Sequence, residues 1–180
     1  MNVLVYGASG KLGVPLCNRL RELGHAVRYG FDICNYDQMR RCYEKWDVDV
    51  VINCAALVGR AVCDKNPLLA FEVNALGALN ILKVWADDTD VIHISTEAVR
   101  DSPPTVYSIT KGIAEYYAEM IGATVLRFDH FVVEDELFDP TLPYIHLRDA
   151  VERIAVVAVG YTLDLVRLHE TEDGMAEIDL

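Results

Sequence analysis

The chain has 180 residues, which is enough for one domain with one buried core. Hydrophobic residues make up 52% of it, which excludes an intrinsically disordered chain. The net charge of −12, without a cluster of Lys and Arg, excludes nucleic acid held by a basic surface.

Neither a membrane segment nor a metal site is predicted. No uninterrupted apolar run reaches the ~18 residues of a membrane span, and no basic region with a cleavage site precedes the first strand. We therefore expect a cytoplasmic protein without a membrane partner. The five cysteines form no Cys-x-x-Cys pair and match no zinc spacing, so we expect reduced thiols and no metal.

A strand, a glycine-rich turn and a helix open the chain. Residues 2–6 predict a buried strand, and Gly7, Gly10 and Gly13 follow before a helical pattern that ends at Gly24. Glycines let backbone amides approach a pyrophosphate, whose charge is also stabilised at a helix N-terminus. The spacing differs from the commoner Gly-x-Gly-x-x-Gly, and an ordinary turn is the alternative. The context predicts a dinucleotide site.

The second strand covers residues 25–29, and Asp32 follows it so closely that no further helix and strand fit between them. A full βαβ unit needs a helix at this point, and Gly30-Phe31 leaves no room for one. Asp32 is the acid nearest the position that holds an adenosine ribose, and Arg28 is a candidate partner for a 2′-phosphate. A surface charge is the alternative for both.

The next segments predict a helix over 36–46, a buried strand over 48–53 and a long helix over 66–86. Small residues, Cys54-Ala55-Ala56, follow the strand, where they would admit a cofactor or simply pack tightly. The long helix is apolar on more than one face, so we expect it to pack on the sheet and on a partner subunit. Asn74 within it either finds buried hydrogen-bond partners or faces solvent.

The centre of the chain carries the candidate chemistry. A strand over 91–94 ends in Ser95-Thr96-Glu97, and a helix over 107–121 opens with Tyr107 and Lys111 on one face. A neighbouring ammonium lowers the pKa of a phenol, and a Thr96 hydroxyl could bind the same substrate oxygen. The pattern favours carbonyl reduction or alcohol oxidation. The alternative is a helix start with a solvated lysine.

Beyond this helix we predict a strand over 124–128, an acidic loop over 131–143, a helix over 150–159 and a strand over 162–168. His146 is interpreted as a structural residue. The predicted domain therefore spans residues 1–168, and residues 169–180 form a disordered acidic tail.

Taken in order, these motifs resemble the extended short-chain dehydrogenase/reductases, the NAD-dependent epimerase/dehydratase family, and within it most nearly the dTDP-4-dehydrorhamnose reductases. The matching motifs are Gly7 to Gly13, Asp32-Ile33, Asn53-Cys54-Ala55-Ala56, Asn66-Pro67 through Asn74, Ser95-Thr96-Glu97, Tyr107 to Lys111, Leu126-Arg127 and Ile145 to Asp149. The resemblance implies a Rossmann-like, doubly wound parallel sheet, here shortened.

The resemblance also implies roles for individual residues. Tyr107 would be the catalytic acid/base, Lys111 would lower its pKa and hold the nicotinamide ribose, and Thr96 would bind the reacting oxygen. The implied cofactor, NADP or NAD, would contact Gly7, Ser9, Gly10, Lys11, Leu12, Arg28, Asp32, Ile33, Ala55, Ala56, Asn74 and Lys111.

Three departures from the family shape the expected function. One crossover is missing, the loop between Thr96 and Tyr107 is short, and Glu97-Ala98 replaces the Asp-Glu of the dehydratases. The substrate-binding portion that follows in the family is also largely absent. We expect hydride transfer at a keto or hydroxyl carbon of a nucleotide sugar by a homodimer formed through helices 66–86 and 107–121. The alternative is a non-catalytic dinucleotide-binding sensor or scaffold.

Overall fold

The computed structural model describes residues 1–132, 144–160, 169–170 and 176–177. Five strands form one sheet in the order β2-β1-β3-β4-β5, and every pairing is parallel. The strands are β1 (Asn2–Tyr6), β2 (Ala26–Tyr29), β3 (Val50–Asn53), β4 (Asp90–Thr96) and β5 (Thr124–Phe128). The predicted Rossmann-like parallel sheet is confirmed.

In the described part of the chain, β2 lies at the edge of the sheet, and the additional helix and strand that would extend the sheet beyond it are missing, as the sequence predicts. The backbone N–H of Gly30 donates to the carbonyl of Val5 at 2.8 Å, and the chain then leaves the sheet for α2 (Tyr36–Tyr43). A Cβ at Gly30 would lie 2.3 Å from the ring of Tyr6, so only glycine passes this close. Strand β2 is therefore an edge strand.

Helices cover both faces of the sheet. On one face lie α1 (Gly13–Glu22) and α7 (Leu147–Ala158), whose Leu16, Leu20 and Ile154 are fully buried against β1, β3 and β4. On the other face lie α2, α5 (Ala78–Trp85) and α6 (Val106–Met120). Full burial of each large aliphatic side chain contributes about 1.5–3 kcal/mol. Both layers hold the carboxyl ends of the strands in place.

The predicted long helix is built from three consecutive segments. It runs from α4 (Pro67–Ala70) through a π-helical segment (Phe71–Gly77) into α5. The short α3 (Arg60–Lys65), which the sequence analysis missed, precedes it. Of the described helices, this is the one long and apolar enough to cross a membrane by length and composition, yet half of Pro67–Trp85 is buried inside the fold. A core helix passes the same test, so this is weak evidence for a span.

The C-terminal elements differ in part from the prediction. Strand β6 (His130–Val132) occupies the start of the predicted loop and pairs in parallel with β7 (Tyr144–His146). Helix α7 begins at Leu147, before the predicted start. Residues 133–143 of the loop and the strand predicted over 162–168 lie outside the described residues. Within the tail, β8 (His169–Glu170) pairs antiparallel with β9 (Ala176–Glu177), and its other residues lie outside the described ranges. The boundary at residue 168 stays a prediction.

Candidate active site

The glycine turn packs directly on the loop after β3. Gly7 has φ +74, and a Cβ there would lie 2.6 Å from the backbone nitrogen of Ala55. A Cβ at Gly13 would lie 2.1 Å from the carbonyl oxygen of Gly7. Gly13 therefore lets the turn fold closely on itself, and Gly7 lets it approach the loop after β3 at the carboxyl ends of the adjacent strands β1 and β3, where open α/β sheets bind ligands.

The residues that open α1 divide between surface and core. Ser9, Gly10 and Lys11 are exposed, whereas Leu12 is only 7% exposed and belongs to the core. Leu12 can therefore offer a ligand its backbone but not its side chain. The first turn of α1 contains no acidic residue, so nothing there repels an anion.

The buried side chain of Asn74 is hydrogen-bonded to the backbone of the loop after β3. It is 1% exposed; its Oδ1 accepts from the N–H of Leu57 at 2.7 Å and its Nδ2 donates to the carbonyl of Leu57 at 3.0 Å. The same Nδ2 also donates to the hydroxyl of Thr110 at 3.3 Å. The buried alternative of the sequence analysis is thus the observed one. The amide is hydrogen-bonded to Leu57 and Thr110, two partners that the sequence analysis missed.

Of the three residues predicted to bind the adenosine part of the cofactor, two are exposed to solvent and one is buried. Arg28 and Asp32 are exposed, with the Arg28 guanidinium 5.4 Å from the ring centroid of Trp46 and Asp32 Oδ1 accepting from the N–H of Cys34 at 2.9 Å. Ile33 is 3% exposed and packs against Gly77, where a Cβ would lie 2.7 Å from it. The side chain of Ile33 thus belongs to the core, and its predicted contact with a cofactor stays a prediction for its backbone.

Thr96, Tyr107 and Lys111 come together where β4 meets α6. Thr96 ends β4, and its side chain lies close enough to Tyr107 to lower the pKa of the phenol. Thr105 caps α6 in a reciprocal capping box with Ser108, which places Tyr107 in the first helical turn. Lys111, one turn further, is 3% exposed and donates its Nζ to the carbonyl of Ile94 at 2.6 Å. The structure therefore groups the three predicted catalytic side chains.

The electrostatics of Tyr107 differ from the prediction. Burial raises the pKa of its phenol, and the neighbouring side chain of Thr96 opposes that change only in part. The expected lowering by Lys111 is not found, because the phenol is desolvated and the ammonium is bonded to Ile94. Burial lowers the pKa of Lys111 itself to about 8. Tyr107 is therefore a protonated phenol at neutral pH.

A buried polar cluster lies behind Lys111, and the sequence analysis assigned it no role. Glu115 on α6 accepts hydrogen bonds from Ser95 of β4 and from Arg127 of β5, with Arg127 Nε at 2.9 Å. These bonds help to hold the pKa of Glu115 below its usual value against the opposing effect of burial. Polar residues inside otherwise apolar strands, and the four-residue spacing from Lys111, are the sequence signals for this cluster.

All five cysteines are free thiols. Within the described ranges, no three His, Cys, Asp or Glu side chains are grouped so that they could hold a metal ion.

Comparison with known proteins adds the family to this geometry. Residues 1–119 match the RmlD substrate binding domain. The chain belongs to the RmlD family. The resemblance that the motifs predict is therefore confirmed, and the matched residues run from β1 to near the end of α6.

The curated relatives of this RmlD-family chain are longer proteins. It is 34% identical to the probable low-salt glycan biosynthesis reductase Agl14 of Haloferax volcanii, over 56% of this chain and 39% of that protein. It is 36% identical to dTDP-4-dehydrorhamnose reductase of Mycolicibacterium smegmatis, over 56% of this chain and 33% of that enzyme. The chain thus spans well under half of the length of these two relatives.

Solved structures show the same fold. The dTDP-4-dehydrorhamnose reductase of Bacillus anthracis, in complex with NADP, superimposes with a TM-score of 0.67 at 22% identity, covering 76% of this chain and 56% of the enzyme. The UDP-glucose 4-epimerase of Thermotoga maritima, with UDP-glucose, gives a TM-score of 0.76 at 19% identity, covering 89% of this chain and 74% of the enzyme.

Proposed function

We propose that this RmlD-family chain is an NAD(P)-dependent oxidoreductase of the extended short-chain dehydrogenase/reductase type. The observation that carries the proposal is the grouping of Thr96 and Tyr107 at the end of β4 with the buried ammonium of Lys111, which donates to the carbonyl of Ile94. A phenol, a hydroxyl and an ammonium grouped in this way can hold one carbonyl oxygen and supply it with a proton.

The glycine turn fits a dinucleotide. The exposed backbone of Ser9, Gly10 and Lys11 leads into α1, and Gly7 is fixed against Ala55 by the absence of a side chain. In our proposal Gly7 to Leu12 lie along the pyrophosphate, with Leu12 contributing its backbone, and Ala55 and Ala56 lie beside the nicotinamide and its ribose. Structures of this fold bound to NADP and to NAD support the choice of ligand.

The adenosine end of the proposed site is reduced to few side chains. Arg28 and Asp32 remain accessible there, and their opposite charges favour different cofactors: Arg28 a 2′-phosphate and Asp32 a free ribose. Asn74 acts in this proposal through Leu57, whose loop it fixes, and not by direct contact.

The proposed chemistry assigns each catalytic side chain one task. A reduced nicotinamide held beside Ala55 and Ala56 would supply the hydride for the carbonyl carbon. The phenol of Tyr107 gives its proton to the carbonyl oxygen, so that ketone, hydride and proton balance to an alcohol. The raised pKa of Tyr107 keeps the phenol protonated at neutral pH, so the proton is present before the reaction. Thr96 donates a hydrogen bond to the same oxygen, and Lys111 holds the hydroxyls of the nicotinamide ribose.

The proposed substrate is a nucleotide sugar. Relatives named for dTDP-4-dehydrorhamnose reduction and for glycan and spore coat polysaccharide biosynthesis support this class. The fold is also that of an epimerase solved with UDP-glucose. Reduction of a keto group needs no second acid after Thr96, which suits the Glu97-Ala98 sequence of this chain.

We also propose a cytoplasmic homodimer through the two predicted helices. Large apolar side chains are exposed along both of them, and Leu68 is 84% exposed. The others are Leu69, Phe71, Leu76, Ile109, Tyr116, Tyr117, Met120 and Ile121. A second copy that covers these side chains would remove them from water.

Calorimetric titration with NADPH and with NADH tests the cofactor, and reduction of dTDP-4-dehydrorhamnose then tests turnover. Tyr107→Phe should abolish turnover and leave cofactor affinity nearly unchanged, whereas Tyr116→Phe, an exposed tyrosine of the same helix, should change neither. Cofactor binding without any turnover of nucleotide sugars would favour the sensor alternative. Absence of binding to both cofactors would refute the proposal.

A further inference from the structure

Glu115 joins the structural elements that carry the candidate catalytic residues. It lies one helical turn after Lys111 in α6 and is 5% exposed. Ser95, the neighbour of Thr96 at the end of β4, donates its hydroxyl to this carboxylate, and Arg127 of β5 donates two hydrogen bonds to its other oxygen. One carboxylate therefore links the strand end that bears Thr96 to the helix that bears Tyr107 and Lys111.

We infer that Glu115 is a positioning residue for this site: it fixes the end of β4 against α6 and places a negative charge behind the ammonium of Lys111. The inference rests on the proposed function, since positioning of Thr96 and Lys111 matters for the reaction only if they bind cofactor and substrate. If Glu115 only stabilised the fold through its bonds to Arg127, its substitution would leave the titration midpoint of Lys111 unchanged.

The groups that act on Lys111 show why Glu115 matters. Burial raises the pKa of the Cys54 thiol to about 12 and lowers that of the buried His93, so both are neutral at physiological pH. Tyr107 is a neutral phenol as well. Glu115 is ionised and favours the charged form of Lys111, against the desolvation that lowers the lysine pKa. Among the groups that the structure shows acting on Lys111, the negative charge belongs to Glu115.

A lysine titration tests this directly. Protein carrying 13C at lysine Cε is titrated by NMR, and Lys111→Arg identifies the Lys111 signal. Glu115→Gln should move the Lys111 midpoint down by about half a pH unit or more. Glu119→Gln is the matched control, because Glu119 is exposed and lies 3.5 Å from the guanidinium of Arg127, which also binds Glu115. It should leave the Lys111 titration midpoint unchanged.

Cofactor affinity gives the second measurement. At pH 8, NADPH binding should weaken roughly tenfold in Glu115→Gln, as expected for loss of a charge-assisted contact, and stay within about twofold in Glu119→Gln. Equal Lys111 midpoints in the two variants would overturn the inference. If the wild-type chain binds neither NADPH nor NADH, the proposed function fails, but the Lys111 titration still decides the placement of charge by Glu115.

A second variant covers a Glu115→Gln protein that does not fold. Arg127→Gln removes the guanidinium that neutralises the carboxylate of Glu115. The negative charge of Glu115 should then stabilise the charged form of Lys111 more strongly. The Lys111 midpoint should rise in this variant. An unchanged or lower midpoint would count against the positioning role of Glu115.

Discussion

The ammonium of Lys111 donates to the carbonyl oxygen of Ile94 at 2.6 Å from a position with only 3% exposure. Among the described residues, this is the one hydrogen bond that replaces the full hydration of the ammonium in the unfolded chain, and burial lowers the lysine pKa to about 8. The fold therefore holds a charged group that weakens it, at a place where the proposed chemistry needs that charge.

Lys111→Met should stabilise the fold while weakening NADPH binding. We expect the free energy of unfolding at pH 7 to rise by about 1–3 kcal/mol, since an apolar side chain fits the buried site without desolvation of a charge. Between about pH 8 and the ordinary lysine value, the unfolded chain binds the extra proton, so wild-type stability rises with pH and the difference shrinks. Urea unfolding at pH 7 and pH 9.5 measures both effects.

Lys83→Met is the control for this comparison, because Lys83 is exposed with its ammonium 4.9 Å from the ring centroid of Tyr36. It should change stability by less than about 1 kcal/mol at either pH. A Lys111→Met protein less stable than wild type at pH 7 would show that the buried ammonium stabilises the fold.

Asn74→Ala should loosen the loop that follows β3. The substitution leaves the N–H and the carbonyl of Leu57 without their partner inside the protein. We expect a loss of about 2–4 kcal/mol in the free energy of unfolding, together with weaker NADPH binding, because Ala55 and Ala56 lie in the same loop. Asn66→Ala removes one exposed hydrogen bond to Val62 and should alter neither quantity measurably. Unchanged NADPH affinity in folded Asn74→Ala would separate this loop from the cofactor.

His93 makes the fold sensitive to acid. Asn53 Oδ1 accepts from Ala55, so its Nδ2 faces His93 Nδ1 at 3.2 Å as the donor, and the neutral ring carries its proton on Nε2. Within the described part of the chain, Nε2 is buried without a hydrogen-bond partner. Burial holds the pKa of His93 well below its usual value. Below about pH 6.5 the unfolded chain therefore takes up a proton that the folded chain does not, and stability is lost.

His93→Gln should reduce the dependence of stability on pH below about pH 6.5, because glutamine does not titrate there. Unfolding by urea at pH 7, 6 and 5 measures this dependence for wild type and variant. The exposed His130→Gln serves as the comparison and should keep the wild-type slope. Parallel curves for wild type and His93→Gln would exclude His93 as the source of acid sensitivity.

The sequence predicts the parts of this site that depend on local patterns. Strand and helix periodicity, the glycine turn and the Tyr107 to Lys111 spacing are local, and the structure contains each of them. The π-helical segment could not be predicted from local sequence, because it depends on tertiary packing: Asn74 faces Leu57 only once the long helix has packed over Ile33. The pKa of Tyr107 could not be predicted either, because burial exceeds the effect of a lysine four residues away. Six-residue helices such as α3 likewise depend on tertiary packing.

Leu68→Glu should separate the proposed dimer. Leu68 is 84% exposed in a single chain, so a glutamate there costs a monomer almost nothing. In a dimer that buries this helix, the carboxylate would lose water without gaining a partner, which destabilises the interface. Leu23→Glu, an exposed position at the end of α1, is the matched control. Light scattering after gel filtration should give twice the chain mass for wild type and Leu23→Glu, and the mass of one chain for Leu68→Glu. A wild-type protein with the mass of one chain at micromolar concentration would leave these apolar side chains exposed to solvent and remove the dimer from the proposal.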